Sequence, residues 1–222
     1  MSTSGALAQW FVFAGAVAAL ILGPAPPGER PALAAWVAAV TLPPLIAFFG
    51  IDRGLISERL HPGPGARERL WVAFLVVVPL VVGHVAIARL DVGRFHWSPP
   101  MPLVLRVTGV LLLAAGNALA HWAMAVNRFF SSVVRIQHDR GQHVVCDGPY
   151  HLVRHPGYAG VMLMLLGSPL ALGSWCSIVP NVALGALLVH RTHLEERVLL
   201  AEFDGYRAYT TRVPARLLPG VW

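Results

Sequence analysis

The sequence predicts an all-α, polytopic membrane protein with about six transmembrane helices, the last two of which form a hairpin. Of its 222 residues, 56% are hydrophobic and only 13% are charged, whereas about a quarter of the residues in soluble domains are charged. The apolar residues also cluster in long uncharged runs instead of recurring at the spacing of a soluble core. Runs of this length suit helices that cross a hydrocarbon layer of about 30 Å.

Six apolar runs define the expected crossings. Four are long and two are shorter: 6–23, 32–50, 70–88 and 107–126, then 157–173 and 175–190. Because the runs are continuously apolar, they favour helices over barrel strands, which alternate between polar and apolar residues. No basic residue precedes the first run, so we interpret it as a membrane helix and not as a signal peptide. The second helix of the hairpin is expected to continue into water.

The distribution of arginine predicts the topology. All seventeen basic residues are arginine, and six crossings place thirteen of them on the side that carries both termini. The four on the opposite side are Arg30, Arg89, Arg94 and Arg106. Basic residues favour cytoplasmic loops, so we expect cytoplasmic termini in a bacterial inner membrane. The net charge of +6 then reflects topology and anionic lipid, and we expect no nucleic-acid partner. The two cysteines show no metal-binding or disulfide spacing, and no metal is expected.

Polar residues divide the chain into two regions. Residues 1–126 read as a scaffold of four transmembrane helices. Residues 127–222 contain a long polar connection, 127–156, then the hairpin, then a polar tail, 191–222. A connection that long is usually functional. The two polar blocks lie on the same expected membrane face, so the chemistry is predicted to lie where they meet, in a cytoplasmic pocket.

The segment GPYHLVRHPGY, residues 148–158, contains a candidate anion site. Pro156 suits the first turn of a helix, where its missing N–H is harmless. Arg154 and His155 precede that turn, and a guanidinium beside a helix N-terminus can bind a carboxylate. The alternative is an interfacial Arg-His pair that contacts lipid headgroups.

The segment HLEERVLL, residues 193–200, provides candidate carboxylates. On a continuing helix, Arg191 and Glu195 share a face, while Glu196 points about 100° away. One carboxylate can then bind a cationic group while the other pairs with an arginine. Together with the anion site, this arrangement suits an amino-acid-like ligand whose carboxylate meets Arg154 or His155. The alternative is a solvated acidic turn.

Other polar residues leave two interpretations open. His143 faces either the same pocket or the surface. Asn117 and His121 share a face of the fourth helix, where they line a substrate cavity or make helix–helix hydrogen bonds. Tyr206 and Tyr209 are expected to pack the tail against the membrane interface and not to take part in the chemistry.

The C-terminal region resembles the isoprenylcysteine carboxyl methyltransferase family. The resemblance consists of ordered pieces, QHVVCDGPYHLVRHPGY, an apolar hairpin, and EERVLLAEFDGYRAYTTRVPARLLP. The family pattern falls on His143, Gly148, Tyr150, Arg154, His155, Pro156, Tyr158, Glu195, Glu196, Tyr206, Tyr209, Val213 and Pro214. The chain departs from the FG-x-x-Y pattern of the family's tail, because Asp204 precedes Gly205.

The resemblance implies an integral-membrane methyltransferase that uses S-adenosylmethionine and a lipophilic acceptor that enters from the bilayer. It implies a cofactor pocket lined by His143, Gly148, Tyr150, His155, Pro156, Tyr158 and Glu195. Arg154, Glu195 and Glu196 are the candidate catalytic residues, and Asn117 and His121 the candidate substrate residues. The expected acceptor is a carboxylate of an isoprenoid or prenylated substrate, with an amine or thiol left open.

Two other functions fit parts of the sequence. RHPGYAG, residues 154–160, also resembles an element of NADPH-dependent membrane sterol reductases. A non-catalytic membrane scaffold or a small transporter subunit would explain the helices but not the two polar blocks on one face. The glutamate pair at 195–196 favours the methyltransferase.

Overall fold

Helices are the regular secondary structure of the described part of the chain. The computed structural model describes residues 30–48 and 70–222, together with positions 12, 14, 15, 18, 19, 54, 55, 58 and 63. Within these residues there is no β-strand. The helices are α1 (Arg30–Phe48), α2 (Leu70–Leu90), α3 (Leu103–Val126), α4 (Pro156–Leu172), α5 (Ile178–Glu202) and α6 (Tyr206–Arg212). A short π-helical turn, Asp91–Phe95, continues α2.

The apolar runs became helices close to the predicted bounds. Runs 32–50, 70–88, 107–126 and 157–173 correspond to α1, α2, α3 and α4. The second hairpin helix continues past its apolar half to Glu202, as expected. The run 6–23 lies outside the described residues apart from five isolated positions.

Two of the described helices are long and apolar enough to cross a membrane. They are Leu75–Phe95, with a mean hydropathy of 2.0, and Leu103–Val126, with a mean hydropathy of 1.8. Leu33–Leu45 and Pro156–Leu172 are shorter apolar helices. These helices are compatible with a membrane protein, whereas the six crossings remain a prediction.

Glycines allow the backbones of α3 and α4 to come into contact. Gly116 of α3 lies against Gly160 of α4, and Gly109 lies against Gly167 one heptad away. A Cβ atom added at any of these four positions would meet backbone atoms of the other helix at less than 3 Å. Small residues commonly permit such contacts between membrane helices. This contact fixes the start of α4, where the polar residues of the RHPGY segment lie.

A buried polar network joins three helices and the α4–α5 turn. The Ser168 hydroxyl on α4 accepts a hydrogen bond from Trp36 Nε1 of α1 at 2.9 Å. It also contacts His84 Nε2 of α2 at 2.7 Å. His84 Nδ1 lies 3.0 Å from the carbonyl oxygen of Ser177. Because buried polar groups need partners, these contacts fix how α1 and α2 pack on the hairpin.

Candidate active site

A cleft opens between the 127–158 connection and the polar end of the hairpin and tail. It holds roughly 840 Å³ of atom-free space, a figure that includes its open mouth. Its aromatic lining comprises Phe129, Phe130, Tyr150, Tyr158, Phe203, Tyr206 and Tyr209. Its polar lining includes Asn127, Ser131, Arg135, Gln142, His143, Arg154, His155 and Glu195. The two polar blocks therefore do meet, and both contribute residues to the lining of this cleft.

Glu196 is the buried centre of the wall behind the cleft. Its side chain is only 3% exposed. Arg154 donates to both of its carboxylate oxygens, from Nε at 3.0 Å and from Nη2 at 2.7 Å. The Tyr206 hydroxyl donates to Oε1 at 2.6 Å, His155 Nε2 lies 2.8 Å from Oε1, and Arg216 Nε donates to Oε2 at 3.3 Å. One carboxylate thus joins the RHPGY segment, α5 and the tail.

This arrangement keeps Glu196 ionised. Burial opposes its charge, but hydrogen bonds from His155, Arg154 and Tyr206 outweigh burial and hold the pKa of Glu196 well below its ordinary value. Burial and the neighbouring Glu196 charge raise the pKa of Tyr206. Tyr206 therefore stays protonated and donates its hydrogen bond. The network is a fixed anchor and not an acid–base pair.

Arg154 binds groups of the protein itself. This corrects the expectation that its guanidinium is available for the carboxylate of a ligand. Besides contacting Glu196, its Nη1 donates to the carbonyl oxygens of Val213 and Pro214, both at 2.7 Å. Four of its five N–H groups are therefore committed, and its side chain is only 5% exposed. It lines the cleft but mainly holds the tail in place.

Glu195 faces the cleft, in contrast to Glu196. Its Oε2 accepts a hydrogen bond from the Tyr158 hydroxyl at 2.7 Å. The same hydroxyl accepts from Arg191 Nε at 2.8 Å, and Arg191 Nη2 donates to the carbonyl oxygen of Ser132. The rings of Tyr158 and His155 stack with their centroids 5.6 Å apart. Glu196 thus pairs with arginine and Glu195 lies on the cleft wall, whereas binding of a cationic group by Glu195 stays a prediction.

The opposite wall is built from the start of the long connection. The Tyr150 hydroxyl accepts a hydrogen bond from Asn127 Nδ2 at 3.1 Å, and its carbonyl oxygen accepts one from the Tyr209 hydroxyl. Phe129 is buried, and its ring meets the His143 ring edge-on at 5.1 Å. His143 is itself exposed, so it lies at the rim and satisfies both interpretations open from the sequence.

Gly148 and Pro156 lie outside the cleft lining. Gly148 has a φ of +56°, and a Cβ there would meet Val126 Cγ2 at 2.9 Å. It therefore provides a tight turn against the end of α3. Pro156 is the buried first residue of α4. Both shape the backbone that presents the neighbouring side chains.

Asn117 and His121 also lie away from the cleft lining. Asn117 Nδ2 donates to the carbonyl oxygens of Ala39 and Val40, each at 3.1 Å, and so joins α3 to α1. His121 Nδ1 donates to the Asn117 carbonyl oxygen one turn earlier, at 2.8 Å. The geometry favours the helix–helix alternative over a substrate cavity.

The tail tyrosines correct another expectation. Tyr206 and Tyr209 are 4% and 2% exposed, and both line the cleft, whereas sequence analysis assigned them no part in the site. Sequence analysis also missed Asn127, Phe129 and Arg216 as parts of the site. The NRFF sequence that opens the long polar connection was a signal for the first two. Arg216 had none, because its role depends on the folded tail.

Fold and site together define a class of protein. It is an α-helical protein with helices of membrane-crossing length and a polar cleft where the C-terminal hairpin leaves the apolar part. In the described ranges, no three His, Cys, Asp or Glu side chains gather as a metal site. The described residues are thus compatible with a membrane protein that carries a polar cleft at one end of its hairpin.

Comparison with known proteins shows what this region is similar to. Residues 108–201 match the isoprenylcysteine carboxyl methyltransferase (ICMT) family. A protein-S-isoprenylcysteine O-methyltransferase of Schizosaccharomyces pombe is 30% identical over 115 residues, covering 50% of this chain and 49% of that protein. Protein-S-isoprenylcysteine O-methyltransferase B of Arabidopsis thaliana is 28% identical over 114 residues, with coverages of 48% and 56%. Residues 108–201 of this chain are thus similar to the ICMT family.

The similarity has a defined extent. A probable protein-S-isoprenylcysteine O-methyltransferase of Oryza sativa subsp. indica is 28% identical over 113 residues, with coverages of 49% and 59%. The chain thus spans about half the length of the curated relatives it matches. The family match includes α4 and the cleft residues of α5. It ends before Tyr206 and Arg216.

Proposed function

We propose that this chain transfers a methyl group from S-adenosylmethionine to a carboxylate of a lipophilic, isoprenoid or prenylated acceptor. The observation that supports this proposal most is the convergence of His143, Tyr150, His155, Tyr158 and Glu195 on one cleft. These residues carry the methyltransferase pattern and come from segments up to 52 positions apart. The relatives are named as methyltransferases, which favours this activity over NADPH-dependent reduction.

The chemistry of the cleft fits the proposed cofactor. Glu195 would bind the ammonium of its amino-acid end, since a carboxylate on the wall offers a charge-assisted hydrogen bond. His155 and Tyr150 would hold polar groups beside it. Phe129 and Phe203 offer aromatic surface for the adenine ring.

The protein's part in the reaction is orientation and the exclusion of water. The bound cofactor would supply an already activated methyl group. A terminal carboxylate acceptor has a pKa of about 3.3–3.7 in model peptides, so it needs no general base near neutral pH. The Arg191–Tyr158–Glu195 chain fixes the carboxylate on the wall, and the Glu196 network fixes the tail beside it. Alignment of acceptor, methyl group and sulfur is then the main catalytic contribution.

The same proposal includes a membrane orientation. With thirteen arginines on the side of the termini and four opposite, both termini and the cleft should face the cytoplasm of a bacterial host. A reporter fused to the C-terminus should be active only as a cytoplasmic reporter in the inner membrane. Activity of a periplasmic reporter at that position would contradict the six-crossing arrangement.

Cofactor binding tests the function directly. Calorimetry on detergent-purified protein should show saturable binding of S-adenosylhomocysteine. Glu195→Gln should weaken that binding at least about tenfold, because charged hydrogen bonds contribute about 1.5–3 kcal/mol and tenfold is about 1.4 kcal/mol. Glu202→Gln is the matched control, since Glu202 is an exposed carboxylate on the same helix outside the cleft lining.

Each result of this experiment has a clear meaning. Binding of NADPH in place of S-adenosylhomocysteine would replace the proposal with a reductase. Equal affinity in wild type and Glu195→Gln would remove Glu195 from the site. Methyl transfer to a prenylcysteine, compared with a prenylamine of equal length, then separates a carboxylate acceptor from an amine.

A further inference from the structure

The wall of the cleft is held from outside by a residue of the scaffold region. Glu58 belongs to the segment between α1 and α2, and it lies outside the family match at 108–201. Its carboxylate contacts two residues that line the cleft, Arg135 and Ser131, although Glu58 is not part of the lining itself. This juxtaposition gives the scaffold region direct contact with the cleft wall.

The contact with Arg135 is buried and two-pronged. Arg135 Nε donates to Glu58 Oε1 at 2.7 Å, and Nη2 donates to Oε2 at 2.9 Å. The two side chains are 1% and 5% exposed. Breaking such a pair leaves a buried charge with fewer partners, which is strongly unfavourable. The geometry therefore restricts where residue 135 can lie.

Arg135 also pairs with Asp139, but this second contact cannot perform the same task. Arg135 Nη1 donates to Asp139 Oδ1 at 2.8 Å. Asp139 is 47% exposed and only four residues away in the same connection. A local pair stabilises a turn, whereas Glu58 is 77 positions away and connects the wall to the scaffold.

A short chain of contacts connects the segment around Arg135 to residues proposed to bind the cofactor. Two residues later, Gln137 is 1% exposed, and its Nε2 donates to the carbonyl oxygen of Phe129 at 2.6 Å. The Phe129 ring contacts His143 at the rim. A shift of residue 135 would therefore displace an aromatic wall residue and a candidate cofactor residue.

We propose that Glu58 is a positioning residue that fixes the 131–143 wall of the cofactor cleft through Arg135 and Ser131. The proposal rests on the proposed function, since it concerns the same pocket. Glu58 touches neither cofactor nor acceptor. Its role is to keep the pocket preorganised, which lowers the conformational cost of binding.

The test compares affinity with folding in the same titration. Calorimetry with S-adenosylhomocysteine gives the dissociation constant and, from the stoichiometry, the fraction of folded protein. Glu58→Gln should weaken affinity about five- to tenfold, the scale of coupling through a packed network. Glu58→Asp should recover most of the affinity. Asp139→Asn removes a carboxylate from the same arginine and should stay within about twofold of wild type, because exposed pairs contribute little.

A purely structural role would give a different pattern. In that case Glu58→Gln would lower the stoichiometry or Tm while the folded fraction bound with wild-type affinity, and the proposal would be wrong. If Glu58→Gln does not fold, Arg135→Lys keeps the charge but loses the fork; weakened affinity supports the proposal and wild-type affinity overturns it. Failure of the wild type to bind at all would refute the proposed function as well.

Discussion

Arg154→Ala is expected to abolish methyl transfer and to destabilise the protein by about 3–5 kcal/mol, the cost of breaking a buried ion pair. The guanidinium makes both forked contacts with Glu196 and two contacts with tail carbonyl oxygens. Its loss releases the 213–216 segment and leaves a buried carboxylate short of charge compensation. Scanning fluorimetry and methyl transfer on the purified variant measure both effects.

Arg154→Lys should not restore the wild-type behaviour. An ammonium cannot make the two parallel hydrogen bonds of the guanidinium or reach the tail carbonyl oxygens at the same time. Tyr209→Phe is the matched control for losing one buried neutral hydrogen bond, the one to Tyr150, and should cost about 1 kcal/mol. If Arg154→Lys keeps the Tm and turnover of the wild type, the paired hydrogen bonds from Arg154 to Glu196 have no role.

The pH dependence of stability provides an independent check on the same network. The pKa of Glu196 is lowered in the folded state from its ordinary value of 4.5. Its contribution to the free energy of unfolding is therefore fully present above about pH 4.5 and is lost as pH falls through the folded-state pKa. Wild type should lose Tm more steeply than Glu196→Gln below that pH. Parallel Tm curves would contradict this assignment of charge.

Gly116→Ala is expected to destabilise the packing of α3 against α4 strongly. The added methyl would lie against the backbone of Gly160 and within 2.9 Å of Leu163 Cβ and Met164 N. Because backbone atoms cannot move aside like a flexible side chain, α3 and α4 must separate. The cost should reach or exceed the roughly 3 kcal/mol at the upper end of typical overpacking. For a chain of this size, Tm should fall by roughly 6–12 °C.

Gly83→Ala is the control for this substitution. Gly83 also lies inside an apolar helix, α2, but no atom lies within 4 Å of a Cβ added there. Alanine is a better helix former than glycine by about 1 kcal/mol, so Gly83→Ala should leave Tm unchanged or slightly raised. Equal Tm values for Gly116→Ala and Gly83→Ala would show that close backbone approach does not stabilise the scaffold.

The helices were predictable because the physical constraint on them is local. A run of apolar residues without charges must satisfy its own backbone hydrogen bonds, and a helix does this within one segment. Pro156 marked the start of α4 for a similarly local reason, since its missing N–H is harmless there. The different directions of Glu195 and Glu196 also followed from helical geometry alone.

The sequence predicted part of the cleft lining but not the contacts that its residues make. The sequence placed Tyr150, His155, Tyr158 and Glu195 in one pocket through their resemblance to a family pattern. It did not show that Arg154 would be occupied by the tail, or that Tyr206 would donate to Glu196. Those contacts join residues brought together by the close packing of α3 and α4 and by the folding of the tail onto the RHPGY segment.

The sequence by itself thus determined the all-helical character, the helix bounds and the candidate residues, because hydrophobic length, proline positions and motif spacing act within short segments. Only the tertiary structure decided which glutamate is buried, which one faces the cleft, and that Glu58 of the scaffold contacts the cleft wall. The reason is physical. The charge state and role of a carboxylate depend on which donors surround it, and the donors around Glu58 and Glu196 come mainly from distant parts of the chain.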